Sequence, residues 1–384
     1  MNIAHEYIDT DAALANFCES LAGAAWLVID TEFMRERTYR PELCLIQVKY
    51  KDRLALIDTI AIDSLAPLQA LLRDTRTEKV FHAASQDLEI FHLLLGELPT
   101  PLFDTQIAAP LLGYNEQIGY ANLVREHLGI ELDKHHTRTD WSQRPLSSGQ
   151  ARYALDDVIH LEALYLDMRA KLAAAGRLAW LDAEFAALED PSRYEQPASE
   201  RWKRIRQIDR YKGDTLTIIQ KLATWREIKA REFNKPRNWI MKDDAIVNIA
   251  RQAPGNEAAL GKVRGLDKSL VRRHGREIVE LIAAAEGVAP ESLPKRERRQ
   301  KLTPARQARA QLMKAWVYQR AAELDIAPTL LVPDRLLEDL ARGAERNKLA
   351  GWREALVADD LMAIRDGKKG VMGGAKGLRL VPET

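Results

Sequence analysis

The chain has 384 residues, with 57 lysine and arginine residues against 56 aspartate and glutamate residues, and its only cysteines are Cys18 and Cys44. This length exceeds one ordinary domain and indicates two or three. Two cysteines exclude a cysteine-built zinc cluster and a disulfide framework. No apolar run of about 18 residues suggests a membrane-spanning helix, and no secretory signal is visible, so we expect a reduced, cytoplasmic protein.

The charge is divided unevenly along the chain. Residues 1–200 carry 18 basic and 32 acidic residues, a net charge of −14, whereas residues 201–384 carry 39 and 24, a net charge of +15. An acidic half joined to a basic half fits a protein that captures nucleic acid with one part and acts on it with the other. Solubility alone is the competing explanation of such asymmetry.

The first informative pattern follows a helix predicted near residues 11–21. The apolar run Ala24–Ile29 predicts a buried strand near 25–32, and it ends at Asp30-Thr31-Glu32. Residues two apart in a strand point to the same face, so Asp30 and Glu32 present paired carboxylates. Paired anions repel and attract either protons or a cation such as Mg²⁺ or Mn²⁺. A turn at Asp30 with a solvated Glu32 is the alternative.

Further strands are predicted near 43–50, 53–58 and 79–82, and a helix near 85–95 follows them. Ser85 is a candidate N-cap of this helix, which places Asp87 in the first turn near the sheet edge. Asp104 precedes a helix predicted near 105–113 and is interpreted as its cap. Taken alone, Asp87 is more typical of a structural first-turn acid than of a ligand.

The next predicted helices lie near 120–128 and 148–172. Tyr153 and Asp157 are four residues apart within the longer helix, so they share one of its faces. Asp156 points about 100° away from Asp157 and is expected to play no part in the same site. A core aromatic is the competing interpretation of Tyr153. The ordered set D-x-E, then D, then Y-x-x-x-D is much harder to obtain by chance than any one of its parts.

These motifs resemble the DEDD superfamily of 3′→5′ exonucleases, in the branch whose third motif carries tyrosine. Asp30 and Glu32 match the first motif, Asp87 the second, and Tyr153 with Asp157 the third. Over residues 1–180 the chain is similar to the bacterial ribonuclease D family within that superfamily. The stretches that carry this similarity are Asp30–Phe33, Arg37–Tyr39, Leu45–Gln47, Phe103–Gln106 and Arg138–Leu146. The resemblance implies a mixed-sheet α/β domain of the ribonuclease H-like kind.

The resemblance also predicts the chemistry. Asp30, Glu32, Asp87 and Asp157 are expected to hold two divalent metal ions, Mg²⁺ or Mn²⁺. Tyr153 is expected to orient the attacking water, because an ordinary tyrosine pKa near 10 makes it a poor base at neutral pH. Phe33 matches a zone that stacks on terminal bases, with a core aromatic as the alternative.

The implied activity is a 3′→5′ exoribonuclease that releases 5′-mononucleotides from RNA with a free 3′ end, with tRNA precursors as substrates. A non-catalytic RNA-binding adaptor and a DNA-directed exonuclease are the alternatives. The residues of these motifs act on the phosphate and not on the sugar. No residue in the sequence therefore predicts a preference for RNA over DNA. Nothing in the sequence indicates a protein partner.

The basic half contains an internal repeat. Trp225, Ala230 and Ala250-Arg251 reappear as Trp316, Ala321 and Ala341-Arg342 after a constant shift of 91 residues. Each copy predicts a small helical bundle with its tryptophan in the core. Proline-bearing linkers near 189–199 and 287–301 set the expected domains at 1–190, 210–290 and 302–366. The glycine-rich tail, 367–384, is predicted to be disordered.

The first copy resembles the helical domain shared by ribonuclease D and certain helicases, the HRDC domain, and the second copy is a more divergent version. In that family the module is an accessory that binds nucleic acid. Seven residues are therefore candidates for contacting RNA: Phe33, Lys229, Arg231, Lys235, Arg237, Arg272 and Arg273. A solvated surface is the competing interpretation of each basic residue taken singly.

Overall fold

The structure is a computed structural model that describes residues 4–132, 139–291, 301–375 and 377–382. It contains two compact units, which are described separately. The first comprises residues 1–32, 45–190 and 299–384, and the second comprises residues 33–44 and 191–298. Within the ribonuclease D-like stretch, Arg138 lies outside the described residues. None of the described helices is both long enough and apolar enough to cross a membrane.

A six-stranded mixed sheet forms the centre of the acidic half, in the order β1-β4-β3-β2-β5-β6. β1 pairs parallel with β4, β5 pairs parallel with both β2 and β6, and β3 pairs antiparallel with β4. The middle of β2 is buried on both faces, as shown by Leu27, Val28 and Ile29. The strands are β1 (Glu6–Ile8), β2 (Trp26–Met34), β3 (Glu42–Tyr50), β4 (Arg53–Asp58), β5 (Glu78–Phe81) and β6 (Leu102–Asp104).

Seven helices lie among the described residues of the same part of the chain. They are α1 (Asp11–Ser20), α2 (Ala66–Arg73), α3 (Ser85–Leu95), α4 (Thr105–Ala108), α5 (Tyr120–Leu128), α6 (Ser148–Ala174) and α7 (Asp182–Leu188). A 3₁₀ turn, Ala109–Leu112, continues α4, so the helix predicted near 105–113 is present in two pieces. The mixed ribonuclease H-like sheet expected from the sequence is confirmed.

Several local expectations were incomplete or wrong. β1, β6 and α2 were not predicted, and both strands have only three residues, which is too few for an alternating pattern to be visible. The predicted N-cap at Ser85 is wrong because Ala84 is the capping residue and Ser85 begins the helix. The carboxylate of Asp104 instead accepts hydrogen bonds from the backbone N–H groups of Ala83 and Ala84, at 3.0 and 2.9 Å.

In the second unit, residues 191–291 form a helical bundle. Its helices are α8 (Gly213–Glu232), α9 (Arg237–Ile240), α10 (Asp243–Gln252), α11 (Glu257–Leu260) and α12 (Lys268–Ala283), preceded by a 3₁₀ segment, Ala198–Arg204. Trp225 lies in the core with Trp202 and Ile246, as expected for the repeat tryptophan. The segment 33–44 belongs to this unit, and its Tyr39 hydroxyl donates a hydrogen bond to Glu227 of α8.

Residues 301–375 and 377–382 contain a second helical bundle with α13 (Pro304–Leu324), α14 (Pro328–Leu331), α15 (Asp334–Arg342) and α16 (Trp352–Arg365). Trp316 lies in this core and donates from its indole nitrogen to Asp360 at 3.2 Å. The tail prediction was wrong, because Lys369–Gly374 (β7) and Gly377–Pro382 (β8) pair as an antiparallel hairpin. Val371, Leu378 and Leu380 pack on the bundle core, and this apolar contact stabilises the glycine-rich chain.

This second bundle docks on the exonuclease-like part of the first unit. Trp352 stacks on Trp180 with ring centroids 4.5 Å apart and the planes 6° from parallel. The backbone N–H of Ala327 donates to the Pro110 carbonyl at 3.0 Å, and Arg177 bridges the carbonyls of Leu111 and Leu324. The bundle predicted as a separate domain therefore belongs to the same compact unit as the sheet.

Candidate active site

Three acidic side chains meet at the end of the central strand β2. Asp30 and Glu32 lie two residues apart on one face of β2, and Asp157 faces them from α6. One carboxylate oxygen from each of the three lies within 4.8 Å of the corresponding oxygens of the other two. Residues separated by more than 120 positions in the chain therefore converge on one point.

The cluster is electrostatically unfavourable by itself. Burial raises the pKa of Asp30 well above its usual range, and the nearby charge of Asp157 raises it further. Burial and then the charges of Asp30, Asp157 and Asp87 raise the pKa of Glu32 to about 10. Burial and then the charge of Asp156 raise the pKa of Asp157 to about 8. At neutral pH these carboxylates therefore hold protons or need a cation.

Asp87 lies beside this cluster but outside the group of three. It sits in the first turn of α3, is 7% exposed, and accepts a hydrogen bond from the Thr31 hydroxyl. Burial and then the charge of Asp30 raise its pKa. Thr31, between the two acids of the first motif, thus links the strand to the second motif. The sequence analysis gave Thr31 no role, although its position within the motif was a usable signal.

The helix that carries Asp87 is held in place by Asp104. Asp104 caps α4 by accepting hydrogen bonds from the Gln106 and Ile107 N–H groups, at 2.8 and 3.4 Å. Its carboxylate also accepts hydrogen bonds from the N–H groups of Ala83 and Ala84, the two residues just before α3. The predicted structural role of Asp104 is confirmed, and its second task, ordering the start of the Asp87 helix, is a finding of the structure.

Tyr153 lies one helical turn before Asp157 on α6. Burial and then the charges of Asp157, Glu32 and Asp30 raise the pKa of its hydroxyl, so Tyr153 is neutral at physiological pH. Its ring packs against buried Trp141, with centroids 6.1 Å apart. A neutral phenol in this position donates or accepts hydrogen bonds but does not act as a free base.

The loop before α6 is anchored on both sides. Ser147 and Gln150 form a reciprocal capping box at the helix start. Arg144 makes a two-pronged ion pair with Asp58 at the end of β4, with distances of 2.5 and 2.7 Å. Arg144 also donates to the Trp141 carbonyl at 2.8 Å, which fixes the tryptophan that supports Tyr153.

Asp156 faces a different environment from its neighbour Asp157. It forms an ion pair with Arg152 one turn earlier, at 2.8 Å, and its backbone carbonyl accepts the Tyr120 hydroxyl. It is not part of the cluster of three carboxylates. That Asp156 plays no part in the site stays a prediction.

The donor set of the cluster consists of carboxylate oxygens alone. Hard oxygen ligands suit Mg²⁺ and Mn²⁺ and disfavour zinc, which prefers nitrogen and sulfur. A cation would also remove the repulsion that raises the pKa of all these acids. The residues present therefore fit a divalent cation.

Comparison with known proteins decides the family. Residues 5–173 match a family model described as 3′-5′ exonuclease, and residues 215–282 match the HRDC domain. Ribonuclease D of Zymomonas mobilis is 41% identical over 95% of this chain and 95% of its own length. The chain belongs to the ribonuclease D family. It is a 3′→5′ exoribonuclease with an HRDC domain, and its family normally uses divalent metal ions.

Two further relatives agree. Ribonuclease D of Gluconacetobacter diazotrophicus is 38% identical over 97% of this chain and 95% of its own length. The crystal structure of Escherichia coli RNase D, described as an exoribonuclease involved in structured RNA processing, superposes with a TM-score of 0.78 and 33% identity. That match covers 96% of this chain and 99% of the other. The ribonuclease D fold thus extends over nearly the whole chain.

The residues predicted to contact RNA are dispersed over the second unit. Phe33 is half-buried at the end of β2. Arg231 and Arg237 bind the buried carboxylate of Glu227, and Lys229 pairs with Glu232 at 3.1 Å. The remaining three are exposed, namely Lys235 beside Trp239, and Arg272 and Arg273 on α12.

The fold brings five arginines of this unit together around one cavity: Arg35, Arg201, Arg204, Arg226 and Arg237. Of these, only Arg237 was among the residues predicted to contact RNA. The basic run from Arg201 to Arg210 was a signal for two of them. Nothing in the sequence pairs that run with Arg35.

Proposed function

We propose that this ribonuclease D family member removes single nucleotides, as 5′-mononucleotides, from the free 3′ end of RNA. The proposal includes two divalent ions, Mg²⁺ or Mn²⁺, held by Asp30, Glu32, Asp87 and Asp157. The observation that carries it is the convergence of Asp30, Glu32 and Asp157 within 4.8 Å at the end of one strand. Such paired ions stabilise the attacking and leaving oxygens of the phosphodiester and lower the pKa of water.

The protein side of the reaction falls to a few residues. Asp157 and Glu32 have raised pKa values, so they give up protons when a cation is bound and become full ligands. Tyr153, neutral and supported by Trp141, orients the attacking water through its hydroxyl. The Thr31 hydroxyl donates a hydrogen bond to the carboxylate of Asp87 and holds it near the cluster. A fixed, partly buried set of this kind needs little reorganisation during the reaction.

The RNA substrates we propose are tRNA precursors and other small RNAs with unpaired 3′ ends, processed in the cytoplasm. The relative from E. coli is described as acting in structured RNA processing, which supports a substrate of that class. The matched HRDC domain supports nucleic-acid binding outside the catalytic cluster. The net charge of +15 on residues 201–384 supports the same role.

The test uses 5′-end-labelled RNA and DNA of one sequence, each with a free or a blocked 3′ end. Each is incubated with Mg²⁺, Mn²⁺ or chelator, and with wild type or Glu32→Gln. We expect stepwise shortening of free-ended RNA only, dependent on metal and absent in the variant, with 5′-mononucleotides as products. Degradation that ignores the 3′ block or survives chelator contradicts the mechanism. Binding without hydrolysis supports an adaptor, and faster shortening of DNA supports a DNA-directed enzyme.

A further inference from the structure

A cavity of about 360 Å³ in the second unit has five arginines and one acidic residue, Asp243, among its eleven lining residues. Five of its lining residues are Arg35, Arg201, Arg204, Arg226 and Arg237. They come from three separate stretches of chain: the segment 33–44, the 3₁₀ segment before α8, and the region from α8 to α9. Like charges gathered this closely repel, so an arrangement of this kind needs anions to stabilise it.

One anion is built into the protein. Glu227 is 0% exposed and accepts hydrogen bonds from Arg201 at 3.0 Å, from Arg237, and from the Tyr39 hydroxyl. Burial alone raises the pKa of Glu227, but the hydrogen bonds from Arg237 and Tyr39 outweigh it and hold that pKa at about 2. The Glu227 carboxylate is therefore ionised at physiological pH, and its hydrogen bonds hold the arginine side chains in place.

The built-in acids do not match the arginines in number. Arg201 and Arg237 share Glu227, and Arg231 also binds it, while Arg226 pairs with Asp243 at 2.6 Å. Arg204 is exposed, and among the described residues it has no salt-bridge partner. The cavity thus keeps an excess of positive charge. Guanidinium groups held in fixed positions suit the oxygens of a phosphate, which they bind with two parallel hydrogen bonds.

An exposed aromatic residue directly follows two of the cavity's lining residues in the sequence. Trp239 is 61% exposed, and its neighbours Arg237 and Asn238 line the cavity. The Lys235 ammonium group lies 5.9 Å from the ring centroid, an arrangement that keeps a cation over the indole. An exposed tryptophan beside fixed cations is the combination that proteins use to bind single-stranded nucleic acid, with bases on the ring and phosphates on the cations.

We propose that this cavity binds a backbone phosphate of the RNA, with an unpaired base of the same strand stacked on Trp239. The proposal rests on the proposed function in taking RNA as the ligand, and it adds a site outside the carboxylate cluster. Glu227 is a positioning residue here, because it holds the arginines and does not contact the RNA. Arg35 lies three residues after Glu32 in the sequence, so this strand–loop segment carries both a cluster acid and a cavity arginine.

The test measures binding of a fluorescent single-stranded RNA by anisotropy, with full-length protein in chelator so that no hydrolysis occurs. The variants are the double Arg35→Ala/Arg204→Ala and the single Trp239→Ala. Matched controls are Arg276→Ala, an exposed arginine on α12, and Tyr318→Ala, an aromatic residue 51% exposed on α13. All substituted side chains are at the surface, where replacement changes stability by about 0.5 kcal/mol or less.

We expect the double arginine variant to bind roughly tenfold more weakly and to lower the slope of log affinity against log salt by about 0.7 per lost phosphate contact. Trp239→Ala should weaken single-strand binding about fivefold or more while leaving the salt slope and duplex binding unchanged. Both controls should bind like wild type. If wild type binds RNA and both cavity variants match it, the proposal is overturned. If wild type itself binds no RNA, the proposed function fails as well.

Discussion

Two carboxylate sites in this protein have opposite electrostatic surroundings. At the end of β2, Asp30, Glu32 and Asp157 lie together, and burial and mutual repulsion raise their pKa values. In the helical unit, Glu227 lies among arginines that hold its pKa at about 2. The acids at β2 repel one another, so binding a cation would stabilise that site. The arginines around Glu227 outnumber it, so their surface can bind an anion.

This contrast separates two kinds of carboxylate site. The repulsion within the β2 cluster is expected to lower the stability of the metal-free protein, as charge arrangements at functional sites often do. Glu227 is already paired with arginines inside the protein, and removing its charge takes away the fully buried anion that they share. Substitutions at the two sites should therefore have different consequences.

The largest effect is expected from comparing two adjacent acids on α6. Asp157→Asn should lower the exonuclease rate by at least about 10³-fold, or about 4 kcal/mol of transition-state stabilisation, because a ligand of the cluster is lost. Asp156→Asn, which changes an acid bound to Arg152, should keep the rate within tenfold of wild type. Single-turnover degradation of labelled RNA measures both. Equal losses of exonuclease rate in the two variants would contradict the assignment of Asp157 as a ligand of the cluster.

The next effect concerns the network of Glu227 and its arginines. Glu227→Gln should reduce the free energy of unfolding by about 3 kcal/mol, because Arg201 and Arg237 lose their buried anion. The matched change Glu232→Gln, at an exposed position of the same helix, should cost less than about 1 kcal/mol. Urea denaturation monitored by tryptophan fluorescence gives both values. A Glu227 variant as stable as the control would show that the network contributes little.

A smaller effect is expected at the tyrosine. Tyr153→Phe should lower turnover roughly 10- to 100-fold by removing a hydroxyl that orients water, while metal affinity stays unchanged because no ligand is altered. Tyr318→Phe, at an exposed position on α13, is the control and should turn over like wild type. Rates at saturating RNA, together with Mn²⁺ titrations, separate the two quantities. Turnover of Tyr153→Phe equal to wild type would refute the assigned role.

The smallest effect is a dependence of stability on pH. Asp157 has a folded pKa of about 8 and an unfolded pKa near 4. Its protonated form therefore stabilises the metal-free protein below pH 4, and that contribution is lost as the pH rises toward 8. In the presence of chelator, Asp157→Asn should therefore be more stable than wild type at high pH. The difference in Tm, variant minus wild type, should grow from pH 5 to pH 9 and reach about 2 °C or more.

Two results bear on that pH prediction. Saturating Mn²⁺ should stabilise wild type more than Asp157→Asn at pH 8, because bound metal replaces the missing protons. Differential scanning fluorimetry over the pH series measures both differences. A Tm difference that stays constant with pH, or that shrinks as the pH rises, would mean that Asp157 is not held in a repulsive cluster.

Much of the catalytic half could be predicted from sequence because its signals are local. The apolar run before Asp30 predicted strand β2, and the four-residue spacing of Tyr153 and Asp157 placed both on one helix face. The separation of Asp156 from Asp157 followed from the same helical geometry. Periodicity fixes which residues share a face, so it also indicates which side chains can meet.

The features that could not be predicted depend on long-range packing. The arginine cavity combines Arg35, Arg204 and Arg237, which no local pattern connects. The side-chain cap expected at Ser85 is absent, and Asp104 at the end of β6 instead accepts hydrogen bonds from the two residues just before α3. The tail 367–384 has the composition of a disordered segment, but Val371 and Leu378 find an apolar surface on the second bundle. In each case a partner distant in sequence decides the outcome.

The most direct test of the account is the binding of Mn²⁺ to metal-free protein, measured by calorimetry for wild type, Asp156→Asn and Asp157→Asn. The account predicts that wild type and Asp156→Asn bind with equal affinity and that Asp157→Asn binds at least about tenfold more weakly. Equal binding by all three proteins, or no binding by wild type, would contradict the claim that Asp30, Glu32 and Asp157 form a cation site.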